Sequence, residues 1–260
     1  MAAEQATPDQ GPERRLSLVE HLAELRRRLI ISLLAVAVTT ALSFTFTRQI
    51  FDFLKRPAPP VQFIYTQPTE LLSTYFKVAI ISGLVLAMPI WLYQVVLFVA
   101  PGLNPTERRY VFLLLPGALL SFIAGAAFAY FVLFPPTFQF LFTFGQEIAE
   151  PQIRIGAYVS LVANLMLWIG LVFELPLVMY FLGRIGVLSP ERVKGIRRPA
   201  IVLAFVGAAV ITPTADPITM TLVAVPIIAL FEVGLLLARW GQRQRRIAQR
   251  RRESASASLG

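Results

Sequence analysis

Six apolar runs constrain this chain more than any other feature. They fall at residues 29–47, 76–99, 110–134, 157–182, 199–211 and 217–238. The long runs are rich in Leu, Ala and Gly and lack the alternation of a half-buried strand. A bilayer core about 30 Å thick needs about 20 residues of helix to cross it. Inside that core a lone segment must satisfy its own backbone groups, which a helix does and an open strand does not. The runs therefore predict an all-α, polytopic membrane protein with six transmembrane helices. Composition agrees. The chain is 56% hydrophobic and 15% charged, with mean hydropathy +0.66, whereas soluble domains carry about 25% charged residues.

Basic residues set the expected orientation. Nineteen of the 24 Lys and Arg residues fall in the N-terminal segment, in the loops after runs two and four, and in the C-terminal tail. Arg48, Lys55, Arg56 and Arg154 lie in the alternate loops, and Lys77 lies near the start of run two. The positive-inside rule then puts both termini in the cytoplasm. The net charge of +9 is explained by topology and by contact with anionic lipid, so no nucleic-acid partner is called for. The first apolar run has no small-residue cleavage site after it and reads as an anchor. The chain has no cysteine, which excludes disulfides, thiolate nucleophiles and Cys-type metal sites.

Three regions are expected. Residues 1–16 read as a disordered cytoplasmic N-terminus, 17–240 as one membrane domain, and 241–260 as a basic, then disordered, tail. Ser17-Leu-Val-Glu20 fits a capping box, so a helix starts near Ser17. Leu18, Leu22, Leu25 and Leu29 form one apolar stripe of that helix, while His21, Glu24 and Arg28 share another face. Residues 48–75 form the longest external loop, and its apolar content suggests a cap at the outer interface. Runs five and six look short. Pro199 to Ile211 spans only 13 residues, about 20 Å of helix at about 1.5 Å per residue. Run six meets Glu232 after Phe231 and contains Pro226. Two adjacent short spans imply local bilayer thinning or a wet recess.

The residue inventory argues against hydrolytic chemistry. The single histidine, His21, lies outside the apolar runs, and neither HExxH nor GxSxG occurs. An intramembrane serine protease needs Ser and His facing each other in the bundle, and no run contains a His. No cofactor or metal site is expected. Five carboxylates remain, each with a structural reading and a functional one. Glu24 either pairs with Arg28 at i,i+4 or binds a cation. Glu107 follows Asn104 and Pro105 at the third position of a helix, where it stabilises free amides, or binds a cation. Asp216 before Pro217 caps a helix or serves a polar contact. Glu232 snorkels to the inner interface or meets a partner. Glu174, near the middle of run four, costs at least about 2.5–3.5 kcal/mol at mid-bilayer, which favours a functional or networked role.

The ordered motifs resemble the TatC family. They are His21-Leu-Ala-Glu-Leu-Arg-Arg-Arg-Leu29; Pro68-Thr-Glu70; Pro89-Ile-Trp-Leu-Tyr-Gln94; Phe98-Val-Ala-Pro-Gly-Leu103 with Glu107-Arg-Arg109; Phe128-Ala-Tyr-Phe131 with Phe134-Pro135; Phe173-Glu-Leu-Pro176; Arg197-Arg-Pro199; Thr212-Pro213 with Asp216; and Phe231-Glu232. They occur in family order over residues 17–238. The outer turn, Thr-Pro-Thr-Ala-Asp, departs from the family's shorter Thr-Pro-Pro-Asp form.

The resemblance implies a cupped bundle in the cytoplasmic membrane and a receptor for signal peptides with two consecutive arginines on folded cargo. It implies TatA-like and TatB-like membrane partners in an oligomeric complex, with export driven by the proton-motive force. It makes Glu24, Glu107, Arg26 and Phe98 the signal-peptide surface, and Glu174, Asp216 and Glu232 polar contacts for partner helices or the inserted peptide. The alternative is a small secondary transporter or ion channel using Glu174 and Glu232 as a relay. The absence of a visible internal repeat speaks against it. A purely structural scaffold would bind no peptide.

Overall fold

The computed structural model describes residues 18–58, 62–103, 105–147, 152–188, 190–212 and 216–257. The expected disordered N-terminus, Ser17 and Asn104 lie outside these residues. Ten α-helices are found among the described residues: α1 Leu18–Thr45, α2 Thr47–Lys55, α3 Pro68–Leu86, α4 Met88–Val99, α5 Pro105–Phe128, α6 Phe134–Thr143, α7 Ile155–Val172, α8 Leu175–Ile185, α9 Pro190–Ile211 and α10 Pro217–Ala257. Two short strands, β1 Phe63–Ile64 and β2 Ile153–Arg154, pair in parallel, with Phe63 opposite Ile153.

These elements make six passes. The apolar runs mark each of them, but the helices outlast the runs. The second pass begins at Pro68 rather than 76 and bends at Ala87, where α3 ends and Pro89 enters the first turn of α4. The third pass reaches Thr143 rather than 134 through a wider π turn at Ala129–Leu133. Pro135 and Pro136 explain that turn. Lacking N–H groups, they cannot donate to the carbonyls one turn back, and Phe134 N–H instead bonds Ala129 O.

Among the described residues, five passes are long and apolar enough to cross a membrane by length and composition. The sixth pass is among them, because the apolar sequence resumes after Glu232 and α10 continues through Pro226. The expectation of two short spans thus narrows to one, the apolar part of α9. A second correction concerns the tail. α10 is helical to Ala257, through most of the stretch whose composition suggested disorder.

The two ends of the bundle differ. At the end that carries residues 45–58, 62–67 and 152–154, segments between the passes pack into the core and form a cap. Phe51 and Leu54 of α2 are buried. Phe51 stacks on Tyr75 at 4.7 Å and Phe53 on Tyr130 at 4.5 Å. The Tyr130 and Tyr158 hydroxyls donate to Phe53 O at 3.1 Å and Leu54 O at 3.3 Å. At the opposite, arginine-rich end, α10 packs along α8, Arg245 donates to Ile185 O at 2.5 Å, and Gln242 donates to Leu188 O. The main core joins the cap to Ala129–Phe138, α7 and the facing sides of α9 and α10. A concave face remains between α3, α7, α9 and α10.

Candidate functional site

At the arginine-rich end, the polar face of α1 lies on α4. Spacing of three and four residues puts His21, Glu24 and Arg28 on one side of α1, and each meets a neighbour. Glu24 Oε1 accepts from Arg28 Nη2 at 3.0 Å. Arg28 Nη1 also donates to Oε1 of buried Gln94 at 3.2 Å. The His21 ring stacks on Phe98 at 4.4 Å, with 18° between the planes. Arg28 is therefore a clamp between two helices. Its Nε is buried with no hydrogen-bond partner.

This cluster can hold a guest cation. An ionised carboxylate offers acceptor sites for about four donors, and Arg28 fills one on Glu24. The Glu24 side chain keeps 19% of its surface exposed. Guanidinium suits such a partner because it stays charged and presents paired donors.

The other expected site residues are spread out. Arg26 is exposed and points off the face that holds Glu24 and Arg28. Glu107 is the third residue of α5, as the capping reading requires, but its side chain lies outside what is described. Asp216 caps α10: its Oδ1 accepts from Thr219 N–H at 2.6 Å. Glu232 accepts from Arg197 Nη2 of α9 at 2.6 Å, both side chains being nearly half exposed. Glu174 occupies the break between α7 and α8, with Pro176 just beyond. Ser121 Oγ donates to the adjacent Phe173 O at 2.7 Å. Glu174 Oε1 is buried and has no hydrogen-bond partner. The recess beside it, lined by Val172, Leu175, Ile196 and Phe231 among others, is apolar. Glu174 and Glu232 are thus not linked by a polar path there.

Sequence reasoning missed two residues. Gln94 stood within a quoted motif but carried no role, because a lone amide in an apolar run has no local partner to reveal it. Glu70 stood in another. It is buried at the cap and accepts from Arg154 Nη2 at 3.0 Å, Arg154 Nε at 3.3 Å and Gly156 N–H at 3.2 Å. Thr66 adds its N–H at 3.1 Å and its hydroxyl at 3.3 Å. Glu70 therefore fixes the start of α3 to the start of α7. Its partner Arg154 is 84 residues away, so no local spacing signals it. Among the described residues no group of three or more His, Asp or Glu side chains could hold a metal ion.

Residues 20–226 match the family model of TatC, the Sec-independent protein translocase protein. The chain belongs to the TatC family. It is 37% identical over 241 residues to the Sec-independent protein translocase protein TatC of Aquifex aeolicus, covering 90% of this chain and all of that one. It is 37% identical over 227 residues to the same-named protein of Carboxydothermus hydrogenoformans, covering 86% of this chain and 93% of the relative. A chloroplastic TatC of Arabidopsis thaliana is 36% identical over 224 residues, 85% of this chain and 66% of the plant protein. A crystal structure of the twin arginine translocase receptor TatC superposes with TM-score 0.78 at 37% identity, covering 85% of this chain and 99% of the other. The all-α, cupped, multi-pass membrane fold expected of a TatC-family chain is therefore the fold observed.

Proposed function

We propose that this chain is the receptor subunit of a twin-arginine translocase, and that Glu24 is one of two carboxylates that accept the paired arginines of a signal peptide. The observation that carries the reading is the partly used Glu24 carboxylate, held on α1 by an arginine that is itself tied to α4. Glu107, at the first turn of α5, supplies the second carboxylate. Phe98, with His21 stacked on it, provides an apolar wall for the residues that follow the arginines. Arg26 is exposed on α1 beside this surface.

The orientation belongs to the same reading. Arginine clusters at one end of the bundle put both termini in the cytoplasm, so the receptor surface faces the compartment where cargo folds. TatA-like and TatB-like helices pack at the edge formed by α9 and α10, where the apolar part of α9 is shorter than the bilayer. Glu174, whose buried Oε1 has no hydrogen-bond partner at the α7–α8 break, offers a polar contact to an inserted helix. The proton-motive force drives the transport that follows.

The test is crosslinking and affinity measurement with a twin-arginine peptide and its Lys-Lys version on purified protein in detergent. Wild type should prefer the arginine peptide. Glu24→Ala with Glu107→Ala should lose that preference while circular dichroism and Tm stay close to wild type. Unchanged affinity in the double variant would remove these residues from the site.

A further inference from the structure

The concave face holds a polar recess of about 430 Å³ at the cap end. Its two main walls are helical stripes. Glu70, Ser73, Thr74 and Lys77 follow the i, i+3, i+4, i+7 spacing of one face of α3, and Ser160 and Asn164 lie one turn apart on α7. The third wall is Val210 and Ile211, the last turn of α9.

Charge and depth are unusual here. Two cations, Lys77 and Arg154, face one carboxylate, Glu70, and Arg154 already engages Glu70 through Nε and Nη2. Lys77 Nζ donates to a neutral acceptor, Ser160 Oγ, at 3.2 Å. Its charge is uncompensated by any carboxylate lining the recess other than Glu70. Lys77 is the tenth residue of α3, about 13 Å along the helix at about 1.5 Å per residue. A Lys at that depth in hydrocarbon is costly unless water or an anion meets its charge.

The end of α9 borders this recess. Ile211 ends α9, and α10 starts at Pro217. Ile211 nevertheless lines the same recess as Lys77 and Asn164. A membrane that meets the end of α9 therefore meets the recess that Lys77 and Arg154 line.

We propose that this recess binds a phosphate group, that of a phospholipid headgroup drawn in beside the end of α9. Lys77 supplies the charge, Arg154 its remaining guanidinium edge, and Ser73, Ser160 and Asn164 neutral hydrogen-bonding groups. A phosphate fits because its oxygens accept from all of these, and ammonium and guanidinium groups both bind it well. The bound headgroup keeps the membrane thin along α9. The proposal rests on the membrane placement of the chain and is independent of how a signal peptide binds.

Native mass spectrometry of the full chain in detergent, titrated with phosphatidylglycerol, tests it. Wild type should retain a first lipid. Lys77→Gln should weaken that retention about tenfold, and Lys77→Arg should keep it. Arg48→Gln removes an exposed cation at the same end of the molecule and should leave retention unchanged. Asn164→Trp, which fills the recess and leaves both cations in the sequence, should expel the same lipid and covers the case in which Lys77→Gln does not fold. Inorganic phosphate added to lipid-free protein is the second arm. A Tm rise that Lys77→Gln abolishes supports phosphate binding and marks a free anion as sufficient. No rise, with lipid retained, supports the headgroup as source. Equal retention in wild type and Lys77→Gln overturns the proposal, as it would if the recess served a carboxylate on another membrane helix. Equal retention of diacylglycerol, which has no phosphate, overturns it too.

Discussion

At each end of the bundle a glutamate meets an arginine, and the two pairs differ in how much of the carboxylate is already used. At the cap, Glu70 is 6% exposed and accepts five hydrogen bonds from three residues. At the arginine-rich end, Glu24 is 19% exposed and accepts one from Arg28. A saturated carboxylate has no acceptor left for a guest, and its neighbours depend on it. A half-used one leaves room. Glu70 holds the structure, and Glu24 has the spare acceptors that the proposed receptor role requires. Both sit in the first two turns of long apolar helices, so the difference comes from what the rest of the chain brings to them.

The comparison is most exposed to Glu70→Ala. This change leaves the Arg154 guanidinium, the Gly156 N–H and the Thr66 N–H without their acceptor. Breaking a buried pair by removing one partner costs about 3–5 kcal/mol. Arg154 is about half exposed and recovers part of this through water, so about 3 kcal/mol is expected. Thermal unfolding in detergent should show a large fall in Tm, and proteolysis should open residues 62–67 first. A wild-type Tm would mean that the cap is held by its aromatic stacks alone.

At the other end the effects should reverse. Glu24→Ala removes one charge-assisted hydrogen bond to an arginine that still reaches water and keeps Gln94, a modest loss of stability of about 1 kcal/mol. Its effect on binding should be larger. A charged hydrogen bond is worth about 1.5–3 kcal/mol when its partner is left unpaired, so affinity for a twin-arginine peptide should fall about tenfold to a hundredfold. Isothermal titration with the two variants side by side decides the matter. Glu70→Ala should shift Tm far more than affinity, and Glu24→Ala the reverse. Equal behaviour of the two would erase the distinction.

The two ends were not equally legible in the sequence. Glu24 and Arg28 are four residues apart on one helix, and local spacing is enough to pair them. The same holds for Asp216, whose bond to Thr219 N–H is the cap that Asp before Pro suggested. Glu70 and Arg154 are joined only by the packing of α3 on α7, which no local pattern encodes. The six passes were legible because hydropathy measures the membrane. Their ends were not, because helical hydrogen bonds continue where the apolar sequence stops, as at Pro68–Tyr75 and beyond Trp240.

Gly83→Ala probes the link between the ends. α1 carries Glu24 and α3 carries Glu70, and the two helices cross at Gly83. A Cβ there would lie 2.5 Å from Thr40 Cα and 2.6 Å from Thr40 N, and Thr39 Oγ1 donates to Gly83 O at 2.7 Å across the same contact. Backbone cannot swing aside as a side chain can, so the helices must separate. Overpacking of this kind costs about 1–3 kcal/mol. The expected result is a lower Tm together with weaker peptide binding, since α1 would lift from α4 as well. A lower Tm with unchanged affinity would show that the receptor face is set by α4 contacts alone.

The smallest effect should come from Gln94→Leu. The substitution keeps the volume and the apolar surroundings of α4 but removes the acceptor that holds Arg28 Nη1. Arg28 keeps Glu24 and gains some freedom to reach water, so about 1 kcal/mol of stability is at stake. On binding, two consequences oppose each other. Glu24 loses the fixed position that the Gln94–Arg28 clamp gives it, and Arg28 becomes easier for a guest guanidinium to displace. The first weakens affinity and the second raises it, so the net change should stay within about threefold, near 0.6 kcal/mol. The salt dependence of peptide binding should be unaltered, because no charge is removed. A loss as large as that of Glu24→Ala would mean that Gln94 touches the peptide itself, and the clamp would have to be redrawn as part of the receptor surface.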